Sequence, residues 1–211
     1  MNQLVMRYLL FSACLVALIG CASDYQFLQK TADDISCADK IKPTHLSTAW
    51  YTTSVDVYDK HISGLLLIKN MPDSSVRVVF TNEAGVTFFD FGFLLDGTFK
   101  VYSIVSQLKK KAVIQTLRKD FELILGIPFR QGMIERWEGN EQVFFGVKQK
   151  KETAYFITSK DCASLRNIEL GSMRKRKVSV QVVGSYPSPE GFEITHLLFD
   201  MKLKLTYLLK E

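Results

Sequence analysis

Residues 80–95 read FTNEAGVTFFDFGFLL, and the fold turns on how this stretch is read. After the turn formers Asn82-Glu83-Ala84-Gly85 the chain takes on the period-two character of a strand. Both registers are apolar. Phe89, Phe91, Phe93 and Leu95 fill one, and Val86, Phe88 and Leu94 occupy the other. A strand with one face in water alternates apolar with polar. The second apolar face therefore implies cover from neighbouring loops or a partner.

Working outward, YTTSVDVY (51–58), HISGLLLIK (61–69), SVRVVFT (75–81) and TFKVYSIV (98–105) also read as strands. They are punctuated by the turns Met71-Pro72-Asp73-Ser74 and Asp96-Gly97, which gives a five-strand meander. The period then changes. In LKKKAVIQTLRKDFELILG (108–126), Val113, Ile114, Leu117, Phe121, Ile124 and Leu125 recur at helical spacing. Lys109, Lys110, Gln115, Arg118, Lys119 and Glu122 hold the opposite face, with Ser106 as candidate N-cap and Gly126-Ile127-Pro128 as the stop signal. The lysines at the helix start oppose its macrodipole.

Strand patterns resume in EQVFFGVKQ, TAYFITS, SLRNIELG and KVSVQVVG, and in a last segment from Phe192. There Leu197, Phe199, Met201, Leu203, Leu205, Tyr207 and Leu209 share one register, which reads as a single strand of about thirteen residues crossing a large curved sheet. The class implied is mainly β (α+β). It is a curved antiparallel half-barrel of nine or ten strands wrapped around one amphipathic helix. Candidate interior residues are Phe89, Phe91 and Phe93, then Val113, Leu117 and Phe121 of the helix, and Phe199, Met201, Leu203 and Leu205 of the final strand.

With 211 residues, 47% hydrophobic and 23% charged, the chain has the composition of one globular domain. Its formal charge falls from +5 to +4 when Arg7, the only charge in residues 1–20, is set aside. That mild excess, with no nucleic-acid-binding motif, does not point to nucleic acid. Arg7 precedes an apolar run of signal-peptide length, too short to span a bilayer, ending Leu18-Ile19-Gly20-Cys21. This ending resembles the bacterial lipoprotein signal, which implies cleavage before Cys21 and its lipidation. Ala22, in place of an inner-membrane-retaining Asp, favours the outer membrane, with the protein lipid-anchored and facing the periplasm. The expected organisation is a signal peptide at 1–20, a lipidated N-terminus and tether at 21–50, and one half-barrel domain at 51–211. Cys37 and Cys162 then remain, either as a disulfide or as two buried thiols.

His45, His61 and His196 are scattered, and neither zinc spacing, a nucleophile elbow nor a phosphate loop appears. No metal, cofactor or enzymatic activity is expected. The cluster Arg174-Lys175-Arg176-Lys177 reads either as a site for anionic headgroups or as charge protecting a sheet edge.

Taken in order, the lipidation signal, the meander, the helix, and Gly126-Ile127-Pro128 running on to Trp137 and Gly139 resemble the LolA/LolB family of lipoprotein carriers and receptors. Asn82-Glu83-Ala84-Gly85 stands where LolB has a hairpin of the form Asn-Pro-Leu-Gly. The resemblance implies an apolar cavity that binds acyl chains or lipoproteins during transfer to the outer membrane, with a periplasmic carrier as partner. At the hairpin tip LolB presents a leucine to the membrane, whereas this chain has Glu83 and Ala84, a carboxylate and a methyl group. The alternative is a structural or assembly lipoprotein that uses the half-barrel as an interaction platform.

Overall fold

The computed structural model of the protein describes residues 23–31, 36–41, 46, 48–172, 174–186 and 188–208. The expected signal segment and Cys21 lie outside the described residues, as do His45 and Leu209. The first meander comprises β2 (Ala49–Val57), β3 (Lys60–Asn70), β4 (Val76–Thr81), β5 (Thr87–Phe93) and β6 (Phe99–Ile104). The second comprises β7 (Ile134–Gly139), β8 (Gln142–Gln149), β9 (Glu152–Ser159), β10 (Leu165–Gly171), β11 (Arg176–Val183), β12 (Gly191–His196) and β13 (Met201–Tyr207). A two-residue β1 (Gln29–Lys30) pairs with β7.

The seven-pair antiparallel ladder from Met201↔Val57 to Tyr207↔Tyr51 joins the meanders into one thirteen-stranded sheet. Its order, β1-β7-β8-β9-β10-β11-β12-β13-β2-β3-β4-β5-β6, leaves β1 and β6 as unpaired edges. The connection from β6 to β7 must therefore cross the whole sheet. It does so as α2 (Lys111–Ile124) and α3 (Ile127–Gln131), while a short α1 (Ser36–Ile41) packs on the same apolar face. The expected half-barrel class matches this open sheet.

Inward residues alternate along the strands as the pleat requires. Val76, Val78 and Phe80 of β4, Val178, Val180 and Val182 of β11, and Met201, Leu203 and Leu205 of β13 belong to one buried cluster with Leu117, Phe121 and Ile124 of α2. Because the strands are antiparallel, their turns fall on two rims. The β2–β3, β4–β5, β8–β9, β10–β11 and β12–β13 turns share one rim, and the β3–β4, β5–β6, β7–β8, β9–β10 and β11–β12 turns share the other.

The doubly apolar stretch owes its pattern to a bulge. Phe80 pairs with Phe89 but Thr81 pairs with Thr87, so Phe88 is an extra residue in β5. Phe88 is half-buried with its ring 5.1 Å from that of Phe80, whereas Val86 and Leu95 are exposed. Cover therefore reaches Phe88 but not Val86.

Four expectations are corrected. The sheet has thirteen strands, three more than the ten patterns read. The thirteen-residue terminal strand is shorter: Leu197–Asp200 form the turn after β12, and the strand itself is β13 (Met201–Tyr207). Leu197 and Phe199 continue the odd register through that turn and mask it. Ser106 begins a 3-10 turn (Ser106–Leu108), and the N-cap position of α2 is Lys110, with no side-chain cap. The tether is also shorter than expected, because Tyr25, Cys37, Ala38, Ile41 and Leu46 are buried. Tyr25, with Phe27 and Leu28, packs on Phe144, Tyr155 and Ile157 on the outer face of β8 and β9.

Cys37 and Cys162 are joined as a disulfide, their Cα atoms 5.7 Å apart across a sequence separation of 125. Replacing both by serine should lower the unfolding free energy by about 2–5 kcal/mol in equilibrium denaturation; an unchanged midpoint would remove the bond from the native state. Gly64 gives a second test, since a Cβ there would stand 2.0 Å from the backbone oxygen of Thr81. Gly64→Ala should cost about 3 kcal/mol by the same measurement, because a main-chain neighbour cannot rotate away.

Candidate functional site

The sheet face covered by α2 gathers all ten residues expected to line an interior, within one cluster. Phe89, Phe91, Phe93, Leu117, Phe121, Met201, Leu203 and Leu205 are buried there, and Val113 and Phe199 are half-buried at its margin. They fill the space. The rings of Phe89 and Phe91 stack at 4.5 Å, and Phe121 lies on Phe89 at 5.7 Å. Burying a phenylalanine contributes about 1.5–3 kcal/mol, so these contacts alone hold α2 firmly.

One polar contact interrupts this apolar seam. Asp120 projects from the buried side of α2, and its Oδ2 is 3.0 Å from Nε2 of His196 at the end of β12. Asp120 Oδ1 is buried with no hydrogen-bond partner. Burial pushes the Asp120 carboxyl above the usual carboxylate range, and the hydrogen bond and charge of His196 only partly oppose this. The His196 ring stacks on Phe199 at 4.7 Å. At the far end of α2 the Tyr186 hydroxyl donates to the Ile124 carbonyl at 2.7 Å and satisfies one of the helix's terminal acceptors.

The Asp120–His196 pair was not anticipated. Its members lie 76 residues apart. The signal that exposes it is a polar residue within each buried register: Asp120 between Leu117 and Phe121, and His196 two residues beyond Ile194.

Among the described residues, the surface depressions around this core include ones of about 660, 250, 170 and 120 Å³. Of the ten expected interior residues only Phe199 lines any of them, in the smallest, beside Asp120 and His196. The largest is a groove between α2, α3 and the β8–β9 turn. Ile127, Pro128 and Val147 contribute apolar lining, and six cations line it: Arg118, Lys119, Lys148, Lys150, Lys151 and Lys177. Glu152 accepts from Lys119 at 2.6 Å and from Lys177 at 2.8 Å. Burial would raise its carboxyl, but these two hydrogen bonds hold it below the usual range.

Glu83 and Ala84 are exposed in a hairpin tip fixed by Gly85 at φ 81° and by the Val86 amide donating to Asn82 Oδ1 at 2.8 Å. Of the basic quartet, Arg176 and Lys177 are engaged by Glu169 at 2.7 Å and Glu152 at 2.8 Å, while Arg174 and Lys175 are exposed. Among the described residues no group of three or more His, Cys, Asp or Glu side chains is placed to hold a metal ion, and no helix is long and apolar enough to cross a membrane.

The folded Asp120 carboxyl keeps its proton to higher pH than the unfolded one, so the associated stability is present below about pH 4 and lost as pH rises through the folded value. Asp120→Asn keeps an acceptor for His196 but never ionises. By linkage the variant should exceed the wild type in unfolding free energy at neutral pH. In denaturation at a series of pH values, the gap should close toward acid.

No family model matches the chain, and no curated protein matches it. Among solved structures it is similar to a LolA superfamily protein of Nitrosomonas europaea, with a TM-score of 0.50 and 7% sequence identity over 83% of this chain and 93% of that one. At that identity the likeness concerns architecture, and the chain has a LolA-superfamily-like fold: an open antiparallel sheet with helices laid across one face.

Proposed function

We propose that this chain is a lipid-anchored binding protein of the cell envelope that accepts acyl chains, free or carried on a lipoprotein, between α2 and the sheet. The observation that carries the reading is the attachment of α2. An apolar stripe and the Asp120–His196 pair hold it to the sheet, so movement of this one element would uncover a continuous apolar face. The half-barrel's likeness to a LolA superfamily protein supports the same reading. Anchoring rests on the sequence: the apolar run after Arg7 ends at Cys21, whose acylation would place the protein at the outer membrane facing the periplasm. A periplasmic carrier would then deliver the cargo. The site's chemistry is that of a binding protein, because its interior offers apolar surface and one polar pair.

The filled interior favours a second reading, in which the half-barrel is a rigid platform for another envelope protein. A photoactivatable long-chain fatty acid added to the delipidated chain distinguishes the two. Saturable crosslinks on Val113, Leu117, Phe121 or Phe199, displaced by unlabelled palmitate, are expected for acyl binding. Crosslinks that never saturate, or that fall elsewhere, would sink that reading and leave the platform.

A further inference from the structure

The two rims of the sheet differ in charge. The turns of the rim bearing the 660 Å³ groove carry Lys150, Lys151, Arg174 and Lys175 against Asp59, Glu83 and Asp200. Lys109 and Lys110, at the approach to α2, add to its positive side. The turns of the opposite rim carry Asp73, Asp96, Glu141, Asp161 and Glu190 against Lys160 alone. A sequence whose overall charge is mild is therefore polarised along its strands.

Exposed apolar side chains gather at the basic rim too. Tyr58 and Leu198 are 69% and 52% exposed in adjoining turns, where the Tyr58 amide donates to the Asp200 carbonyl at 3.0 Å. Met133, 85% exposed, precedes β7, whose first residue pairs with Val147 at the same end of the sheet. Cations interspersed with exposed apolar residues suit the boundary between headgroups and acyl chains of an anionic bilayer.

The chain also enters the fold at this rim. The Asp24 amide donates to the Arg174 carbonyl at 3.1 Å, and the Arg176 amide donates to Asp24 Oδ2 at 2.8 Å. Ser23, two residues after Cys21 in the sequence, thus begins beside the β10–β11 turn. An acyl group on Cys21 would lie within a few residues' reach of the basic rim and about a strand's length from the acidic one.

We infer that the protein docks end-on against an anionic phospholipid surface through this rim, with Lys150, Lys151, Arg174 and Lys175 on the headgroups and Tyr58, Met133 and Leu198 at the acyl boundary. The groove opens at the contact; Arg118, Lys119, Lys148 and Lys177 are paired there with Glu122, Glu152, Glu135 and Glu152, so Lys150 and Lys151 at its mouth are the cations that would meet lipid phosphates. The charge asymmetry stands without the anchor, whereas the alignment of anchor and rim rests on the acylation of Cys21.

Lysine footprinting of the full chain tests this, with an amine-reactive label read by mass spectrometry in three settings: phosphatidylcholine vesicles, vesicles also containing phosphatidylglycerol, and soluble polyglutamate. Labelling of Lys150, Lys151 and Lys175 is expected to fall about fivefold or more with phosphatidylglycerol only, while Lys160 on the opposite rim stays labelled. Lys150→Glu with Lys151→Glu should abolish the shielding of Lys175 without moving the thermal midpoint. Equal labelling in both vesicles, shielding of Lys160, or shielding by polyglutamate alone would overturn the proposal, the last in favour of an acidic protein. The mass of the N-terminal peptide reports acylation separately, so loss of the anchor is distinguishable from loss of docking.

Discussion

The constraint on which the structure depends is that a thirteen-stranded sheet with one apolar face has no second sheet to cover it. Cover must come from the chain's own connections, and only one of these spans the sheet, the link from β6 at one edge to β7 near the other. Its apolar stripe has to match the curved surface beneath, which explains the aromatic density of β5 and the packing of Phe121 of α2 on the stacked rings of Phe89 and Phe91. α1 completes the cover, secured to the β9–β10 turn by the Cys37–Cys162 disulfide. The proposed acyl binding rests on the same arrangement, because the element that seals the apolar face is also the one whose movement would open it.

Much of this architecture is legible in the sequence, and the gaps have physical causes. The first meander is plain because β2, β3 and β4 alternate buried with less buried residues and turn formers separate its strands. β7 escapes because every residue from Ile134 to Gly139 is half-buried, so no alternation marks it. The turn between β12 and β13 is hidden because Leu197 and Phe199 extend the odd register of β13 back through it, although β12 buries the even residues Phe192, Ile194 and His196. The segment before β2 looks like a linker for a different reason: short elements such as β1 and α1 carry too few turns or pairs to show a period, and their apolar residues are chosen by contacts made far along the chain. The interior residues were found as a set. Whether they would enclose space or fill it depends on the placement of rings, to which periodicity is blind. The Asp120–His196 pair likewise needed the third dimension, since neither residue has a local partner that would mark it.

Polar groups are sorted as strictly as apolar ones. On the outer face, Arg77 donates to Asp90 through Nε at 2.8 Å, and its guanidinium lies 3.8 Å from the Tyr102 ring, next to Gly92, where a side chain would strike that ring. Tyr102 is itself the extra residue of a bulge between β5 and β6. A bulge of this kind in the edge strand discourages β6 from pairing with another sheet. At the other edge the brief β1 covers part of β7, so the sheet remains open without offering a long unprotected strand.

The N-terminal segment has a temporal consequence. Gln29 pairs with Glu138, the Tyr25 hydroxyl reaches Glu169 at 3.1 Å, Cys37 joins Cys162, and Asp24 binds the backbone around Arg174 and Arg176. Each of these partners is made more than a hundred residues later. This early-made part of the chain is therefore among the last to find its native contacts. Such non-local closures are slow and keep the unfinished apolar face exposed meanwhile. Until residue 176 has been made these closures cannot all form, so completion of the fold is held back to the last third of synthesis.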